Sequence, residues 1–199
     1  DKGNDAAARL FYQESLALAR EMGDLIRVGV ALNNLGTTIH LSGSFAEARR
    51  CFAESLAAHR EAEDKSGAAY ALVNLGLVAL DEGKQEEAHL WLVESLSLLW
   101  EIGDKRVLVE CLEGLAGLAG VLRQAERAAQ LFGAAALLRE QTRFPIPITE
   151  QARYERYLAF AREQLPAAAW AVANAAGRTM TVERMVAFAR GHGRSQLRM

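Results

Sequence analysis

The sequence has 199 residues, enough for one large domain or two small ones, and 51% of them are hydrophobic, which suffices for a buried core. A formal net charge of −2 argues against general affinity for nucleic acid, because such affinity needs a basic surface. No run of 18 uncharged apolar residues occurs, so the sequence predicts no membrane-spanning helix.

The first predicted helix covers residues 6–21, where apolar residues recur at helical spacing. Residues 1–20 lack the layout of a signal peptide and begin inside this helical pattern, so we expect the chain to be part of a larger protein. Cys51 and Cys111 lie among apolar neighbours and are expected to be reduced, buried side chains, which fits a cytoplasmic protein.

A repeat of forty residues organises the next part of the chain, because residues 31–55 align with residues 71–95. A fixed period of this length is typical of stacked helix pairs. The positions that keep step are Ala31/Ala71, Leu32/Leu72, Asn34/Asn74, Leu35/Leu75, Gly36/Gly76, Gly43/Gly83, Glu47/Glu87, Ala48/Ala88, Glu54/Glu94 and Ser55/Ser95. The same spacing reaches back to Ser15 and forward to Ala128, where the repeat is weaker.

The repeat predicts six further helices, separated by turns. They cover residues 25–41, 45–62, 65–81, 85–102, 105–122 and 124–141. Gly23, Gly43, Gly83 and Gly103 are expected to close helices, because glycine accepts the left-handed conformation at helix ends. Gly36 and Gly76 are expected to let the first helix of a pair approach the second closely.

These residues resemble the tetratricopeptide repeat in its long form: a large apolar residue, then Leu-Gly, then a small and an aromatic or large residue on the second helix. The resemblance covers about residues 6–141. It implies an all-α fold, a right-handed α-α superhelix. Within residues 1–141 we expect the second helix of a first pair followed by three complete pairs.

After residue 141 the repeat stops, and residues 142–199 are predicted to form capping helices and a basic tail. Pro145 and Pro147 interrupt the helix, Thr149 is expected to cap a helix over residues 150–164, and Pro166 to open a short one. Thr181 is expected to start the last helix. Covering the open end of a stacked array is needed for solubility. The basic stretch of residues 190–198 is interpreted as a linker or frayed end, with a nucleic-acid arm as the alternative.

The C-terminal part carries a second resemblance, in residues 128–140, 144–147, 154–162, 169–171 and 177–183. These segments look like the ending of the tetratricopeptide region in large bacterial regulators. There, a signal-transduction ATPase module of the STAND type is joined to a LuxR-type or AfsR-type transcription factor, or to a cyclase or kinase. The resemblance implies that the chain is the sensor or scaffold arm of such a regulator.

No catalytic or cofactor motif emerges from the sequence. The glycines between Gly114 and Gly120 lack the strand and the Gly-Lys-Ser/Thr ending of a phosphate-binding loop. The four histidines are scattered, which argues against a zinc site, and no elbow motif frames a nucleophilic serine. We therefore expect no enzyme, no metal and no cofactor, although the absence of a motif leaves an unrecognised active site open.

The functional prediction concerns the concave groove that the first helices of successive pairs would line. The residues predicted to face this groove are Asn33, Asn34, Thr37, Tyr70, Asn74, Leu77, Glu110 and Glu113. An amide side chain both donates and accepts, so Asn34 and Asn74 could pair with the backbone of an extended peptide. Alternatively, each asparagine bonds the neighbouring helix and fixes the stack. For Tyr70 the favoured interpretation is a ring packed at the groove edge.

Two functions follow from this groove. One is a non-catalytic, signal-sensing interaction domain of a larger bacterial transcriptional regulator, which binds a protein, a peptide or a small effector and acts on other domains of the same polypeptide. The other is a free-standing peptide-binding adaptor or co-chaperone, which a neutral to acidic groove disfavours. Neither involves a membrane or direct binding of nucleic acid. The unpartnered first helix could also promote self-association.

Overall fold

A computed structural model describes the backbone of residues 2–191 and the side chains of residues 6–191. This part of the chain is all-α, with ten helices and no strand, which confirms the predicted fold class. The helices are α1 (Lys2–Glu21), α2 (Leu25–Leu41), α3 (Phe45–Glu61), α4 (Lys65–Asp81), α5 (Gln85–Ile102), α6 (Lys105–Val121), α7 (Ala125–Thr142), α8 (Ile148–Arg162), α9 (Ala167–Gly177) and α10 (Val182–Arg190). His192 and most of the predicted basic tail lie outside the described residues.

The helix starts repeat because the same capping residue recurs. The carboxylates of Asp24, Asp64 and Asp104 accept hydrogen bonds from backbone N–H groups in the first turns of α2, α4 and α6. Such caps satisfy N–H groups that have no partner within the helix. Thr181 caps α10 in the same way, as predicted.

The predicted cap of α8 is wrong. Thr149 lies inside the helix, which begins at Ile148 and has Pro147 at its N-cap position. The proline already has the extended backbone that precedes a helix, and its carbonyl accepts from the Glu150 N–H. The chain therefore enters α8 two residues earlier than the threonine suggested.

The chain divides into two compact units between Leu98 and Leu99, within α5. The first unit contains α1–α4 and most of α5, and the second contains the end of α5 and α6–α10. The domain division predicted after residue 141 stays a prediction. None of the helices among residues 2–191 combines the length and apolarity needed to cross a bilayer.

In the first unit, paired helices touch through a glycine, as predicted. A Cβ atom added to Gly36 of α2 would lie 2.7 Å from the Phe52 ring of α3, and one added to Gly76 of α4 would lie 2.6 Å from Leu92 of α5. Both Phe52 and Leu92 are fully buried. A larger residue at either glycine would therefore force the two helices apart.

Each pair in the first unit also has a buried hydrogen bond at a repeated position. The Ser55 hydroxyl donates to the Gly29 carbonyl at 2.7 Å, and the Ser95 hydroxyl donates to the Ala69 carbonyl at 2.8 Å. In both bonds the donor lies 26 residues after the acceptor, on the second helix of the pair. The repeated serine thus joins the two helices of each pair by a hydrogen bond.

The repeated glutamate before each serine pairs with an arginine of the preceding second helix. Arg20 donates to Glu54, and Arg60 donates to Glu94, in each case across 34 residues. Both ion pairs are exposed, so each contributes less than about 1 kcal/mol.

In the second unit, α8 packs on α6, and α9 packs on α7. The contact between α7 and α9 is made by backbone, because a Cβ on Gly133 or Gly177 would collide with a carbonyl of the opposite helix. The Phe132 ring contacts Tyr154 of α8 edge-on, with centroids 5.8 Å apart, and lies 6.4 Å from the Trp170 ring of α9. The helices after the repeat therefore cover the last repeat helix, α7.

Two turns that lack the repeated glycine keep its backbone conformation. Glu63 and Arg123 have φ angles of 54° and 60°, close to the 74° of Gly83. A side chain in this left-handed region costs about 1 kcal/mol.

We expect Glu63→Gly and Arg123→Gly each to raise the free energy of unfolding by about 0.5–1 kcal/mol, because the gain in backbone freedom outweighs the added entropy of the unfolded chain. Urea unfolding followed by circular dichroism measures the change. Gly83→Ala is the matched control and should lower stability by a similar amount. If neither glycine variant is more stable than the wild type, the strain assigned to Glu63 and Arg123 is contradicted.

Candidate interaction surface

In the first unit, the first helices α2 and α4 are joined by a pair of amide side chains. The Asn74 Nδ2 donates to the Asn33 Oδ1 at 3.1 Å, and both residues are only 4% exposed. A buried amide is costly unless it is hydrogen-bonded. The pair therefore fixes the position of α4 along α2.

A second polar bridge joins the same two helices two turns further on. The His40 Nε2 lies 2.8 Å from the Asp81 Oδ2, and both side chains are almost fully buried. The Phe45 and Phe52 rings contact the imidazole edge-on, with centroids 5.6 and 6.4 Å away. Together with Asn33–Asn74, this bridge sets the spacing between successive first helices.

The remaining first-unit residues of the predicted groove differ in accessibility. Leu77 is 3% exposed, whereas Asn34, Thr37 and Tyr70 are half-buried. The Thr37 hydroxyl donates to the Asn33 carbonyl. The Asn34 side chain makes no hydrogen bond within the described part of the chain, so it is the groove amide with donor and acceptor atoms left for a partner. Binding in the groove stays a prediction.

In the second unit, Glu113 of α6 forms a bidentate ion pair with Arg139 of α7. The Arg139 Nη2 donates to both carboxylate oxygens at 2.8 Å, and Nε donates to Oε1 at 3.1 Å. The Arg139 Nη1 donates to the Phe144 carbonyl at 2.9 Å. The pair thereby ties the loop after α7 to α6.

Glu110 lies one turn before Glu113 on α6 and is 94% buried, since its relative exposure is 6%. Among the described residues its carboxyl makes no hydrogen bond. Burial raises the pKa of Glu110 to about 8, and the negative charges of Glu150 and Glu113 add to this effect. Three carboxyls face two arginines, Arg139 and Arg153, so one proton on Glu110 balances the buried charge.

Burial also raises the pKa of Glu113, although the Arg139 charge opposes the shift. The pKa of Tyr154 is raised by burial and then by the charge of Glu113. Glu150 pairs with Arg153 at 3.3 Å at the start of α8. The two glutamates predicted for the groove are thus members of a largely buried network of charges between α6, α7 and α8.

Next to this network is a pocket of about 460 Å³. Its walls include Glu113, Arg139, Arg143, Phe144 and Tyr154. The lining thus combines carboxylates, guanidinium groups and two aromatic rings. Within the described ranges, no three His, Cys, Asp or Glu side chains come together in a way that could hold a metal ion.

Sequence reasoning missed Arg139, Glu150 and Tyr154 as neighbours of the predicted glutamates. A signal for Arg139 was present, because it follows Glu113 by 26 residues, the same separation as in the Ser55–Gly29 and Ser95–Ala69 contacts. No comparable signal exists for Glu150, because α8 lies beyond the repeat.

Comparison with known families gives one match. Residues 27–99 match the family model of the tetratricopeptide repeat. A search of curated proteins gave no match to the chain. The family match supports a tetratricopeptide repeat domain over these residues. Such helical repeats are typically non-catalytic scaffolds, and the match suggests a protein-interaction domain over these residues.

The raised pKa of Glu110 has a consequence for stability. Because the folded-state pKa, about 8, lies above the ordinary value of 4.5, the folded protein keeps a proton that the unfolded chain loses in this interval. The contribution of this bound proton to the free energy of unfolding is fully present below about pH 4.5 and is lost as the pH rises toward 8.

We expect the free energy of unfolding of Glu110→Gln to fall less between about pH 5 and pH 8 than that of the wild type, because the amide stays neutral. Urea unfolding at several pH values measures both slopes. Glu126→Gln, which alters an exposed glutamate of α7, should leave the wild-type slope unchanged. If the free energy of unfolding depends on pH equally in the wild type and in Glu110→Gln, the raised pKa assigned to Glu110 is contradicted.

Proposed function

We propose that this chain is the signal-sensing interaction arm of a larger bacterial transcriptional regulator, and that it binds an extended peptide or protein segment along α2 and α4. The observation that carries the binding surface is the half-buried, unpaired amide of Asn34 on α2, the helix that also carries Thr37, with the half-buried Tyr70 on the neighbouring first helix α4. An amide at this place can donate to a peptide carbonyl and accept from a peptide N–H at once. Recognition of the peptide would then depend more on its backbone than on the identity of its side chains.

Asn33 and Asn74 have a different role in this proposal. Their mutual hydrogen bond holds the two helices at the spacing that a bound peptide would follow. The accessible Asn34 meets the ligand, and the buried pair keeps the surface rigid. A preorganised surface binds at lower entropic cost.

The regulator context is supported by the resemblance of the C-terminal segments to the ending of such proteins. Residues of that ending make specific contacts in the second unit. The backbone of α9 approaches α7 at Gly177, Trp170 is buried beside Phe132, and Thr181 caps α10. An ending that covers the last repeat helix suits a domain that binds a ligand and transmits this binding to other domains of the same polypeptide.

We expect Asn34→Ala to weaken binding on an array of extended peptides about fivefold without changing the thermal midpoint, since a lost hydrogen bond is worth about 1 kcal/mol. Asn74→Ala should instead lower the midpoint, because it leaves the Asn33 amide buried and unpaired. Ser97→Ala, on the exposed surface of α5, is the control and should change neither quantity. Peptide binding that is indifferent to Asn34→Ala would exclude this surface.

The regulator assignment makes a separate prediction about the gene. The reading frame that encodes this chain should also encode a nucleotide-binding ATPase module, a DNA-binding domain or another output domain. Sequencing the complete frame tests this. A frame that encodes only helical repeats would contradict the regulator and favour a free-standing adaptor.

A further inference from the structure

The pocket beside the buried network of charges has no part in the proposed function. It lies within the second unit, where α6, the end of α7, the loop after α7 and α8 meet. Its volume of about 460 Å³ is that of a small-molecule site, in which apolar walls are combined with a few polar groups. The apolar walls are formed by Ala136, Phe144, Pro145 and the Tyr154 ring. This site is called here the α7–α8 pocket.

The charged side chains of the α7–α8 pocket are paired, with one exception. The Glu113 carboxylate accepts from Nε and Nη2 of Arg139. The Glu140 carboxylate accepts from the Arg178 Nη2 through both oxygens, at 2.9 and 2.7 Å. The Arg143 guanidinium also lines the pocket, and it has no hydrogen bond or ion pair within the described part of the chain. Its positive charge is therefore left for an anion.

Arg143 occupies a turn position that two other copies of the repeat give to glycine. Gly103 stands forty residues earlier, and Gly23 stands eighty residues before Gly103. The φ angle of Arg143 is 53°, in the left-handed region that glycine adopts most readily. Glu63, at the same position between α3 and α4, also has a positive φ, but it is exposed and does not line the pocket. The two residues thus share a backbone conformation and differ in their access to this site.

Tyr154 adds a hydrogen-bond donor to the pocket. Its ring packs edge-on against Phe132, with centroids 5.8 Å apart, and its hydroxyl makes no hydrogen bond within the described residues. Burial and then the charge of Glu113 raise the pKa of Tyr154, so the hydroxyl stays protonated at neutral pH. The Phe144 ring lies under the Arg139 guanidinium, 5.9 Å from its centroid. The two rings of the lining are therefore held by their neighbours.

We propose that the α7–α8 pocket binds a small aromatic carboxylate. The Arg143 guanidinium and the Tyr154 hydroxyl are the donors left in the lining for its oxygens, and a charge-assisted hydrogen bond from the arginine is the stronger of the two. The ligand ring lies against the Phe144 ring, since aromatic pairs gain more than their buried area alone provides.

The charges of the lining favour a carboxylate over a phosphate. One unpaired arginine matches one negative charge, whereas the neighbouring Glu113 and Glu140 would repel a dianion. The aromatic rings favour a flat, unsaturated body over a polar one, because a polar body would lose its hydration against Phe144 and Pro145 without gaining hydrogen bonds from them.

Titration calorimetry of the full chain with benzoate and cinnamate tests the proposal. Benzamide and cinnamamide, which keep the ring and lose the charge, are the matched controls, and acetate keeps the charge and lacks the ring. We expect at least one of the two aromatic carboxylates to bind about tenfold more tightly than its amide and than acetate, because the charged hydrogen bond is lost in the first case and the ring contact in the second. If neither carboxylate binds, or if the amides bind equally well, the proposal is overturned.

Arg143→Gly separates binding from folding, because it removes the guanidinium and relaxes the backbone at the same time. It should weaken binding of the carboxylate about tenfold without lowering the thermal midpoint of the free protein. Tyr154→Phe, which removes only the hydroxyl, should weaken binding about fivefold. Glu63→Gly makes the same backbone change in the first unit and should leave the dissociation constant unchanged.

An aromatic carboxylate that binds Arg143→Gly as tightly as the wild type would overturn the assignment of the site. These titrations contain no peptide, and the variants leave Asn34 of the first unit intact. Failure of this proposal is therefore distinguishable from failure of the proposed function.

Discussion

The close approach of paired helices at Gly36 and Gly76 is the constraint on which the first unit depends. Only with a hydrogen in place of a side chain can Phe52 and Leu92 reach the backbone of the first helix and fill the core without a gap. The same short distance brings the Ser55 and Ser95 hydroxyls within reach of a carbonyl. In each pair, the apolar packing and the buried serine hydrogen bond therefore both depend on the glycine of the first helix.

The forty-residue register was sufficient to predict the helices, because capping aspartates, turn glycines and core positions recur with it. It was insufficient for contacts between successive first helices. Asn33 bonds Asn74, and His40 meets Asp81, each across 41 residues, so the partners are not the aligned pairs that a repeat comparison brings out. Asn34 and Asn74 are equivalent in sequence, yet Asn34 is half-buried and its side chain makes no hydrogen bond within the described residues, whereas Asn74 is buried and bonds Asn33. The burial of Glu110 was also beyond prediction, because Glu150 comes from α8, outside the repeat.

The second unit shows how the fold tolerates a degraded repeat. Ala134 and Ala135 replace the repeated glutamate and serine, so α7 has neither the ion pair nor the hydroxyl bond of its counterparts. Other contacts take their place: the Glu113–Arg139 pair joins α6 to α7, and α9 packs against α7 at Gly133 and Gly177. Gly133, which precedes these alanines, allows the backbone of α9 to approach.

These observations separate residues that build the molecule from residues free to bind. A polar side chain in a helical array can satisfy a neighbouring helix or a ligand, and burial with a bonded partner assigns Asn33, Asn74 and Ser55 to the first group. Asn34 has the same chemistry as the two buried asparagines, and its side chain has no partner within the described residues. Its counterpart Asn74 bonds the preceding first helix α2, whereas the partner that we propose for Asn34 is a peptide backbone, which offers donors and acceptors along its whole length.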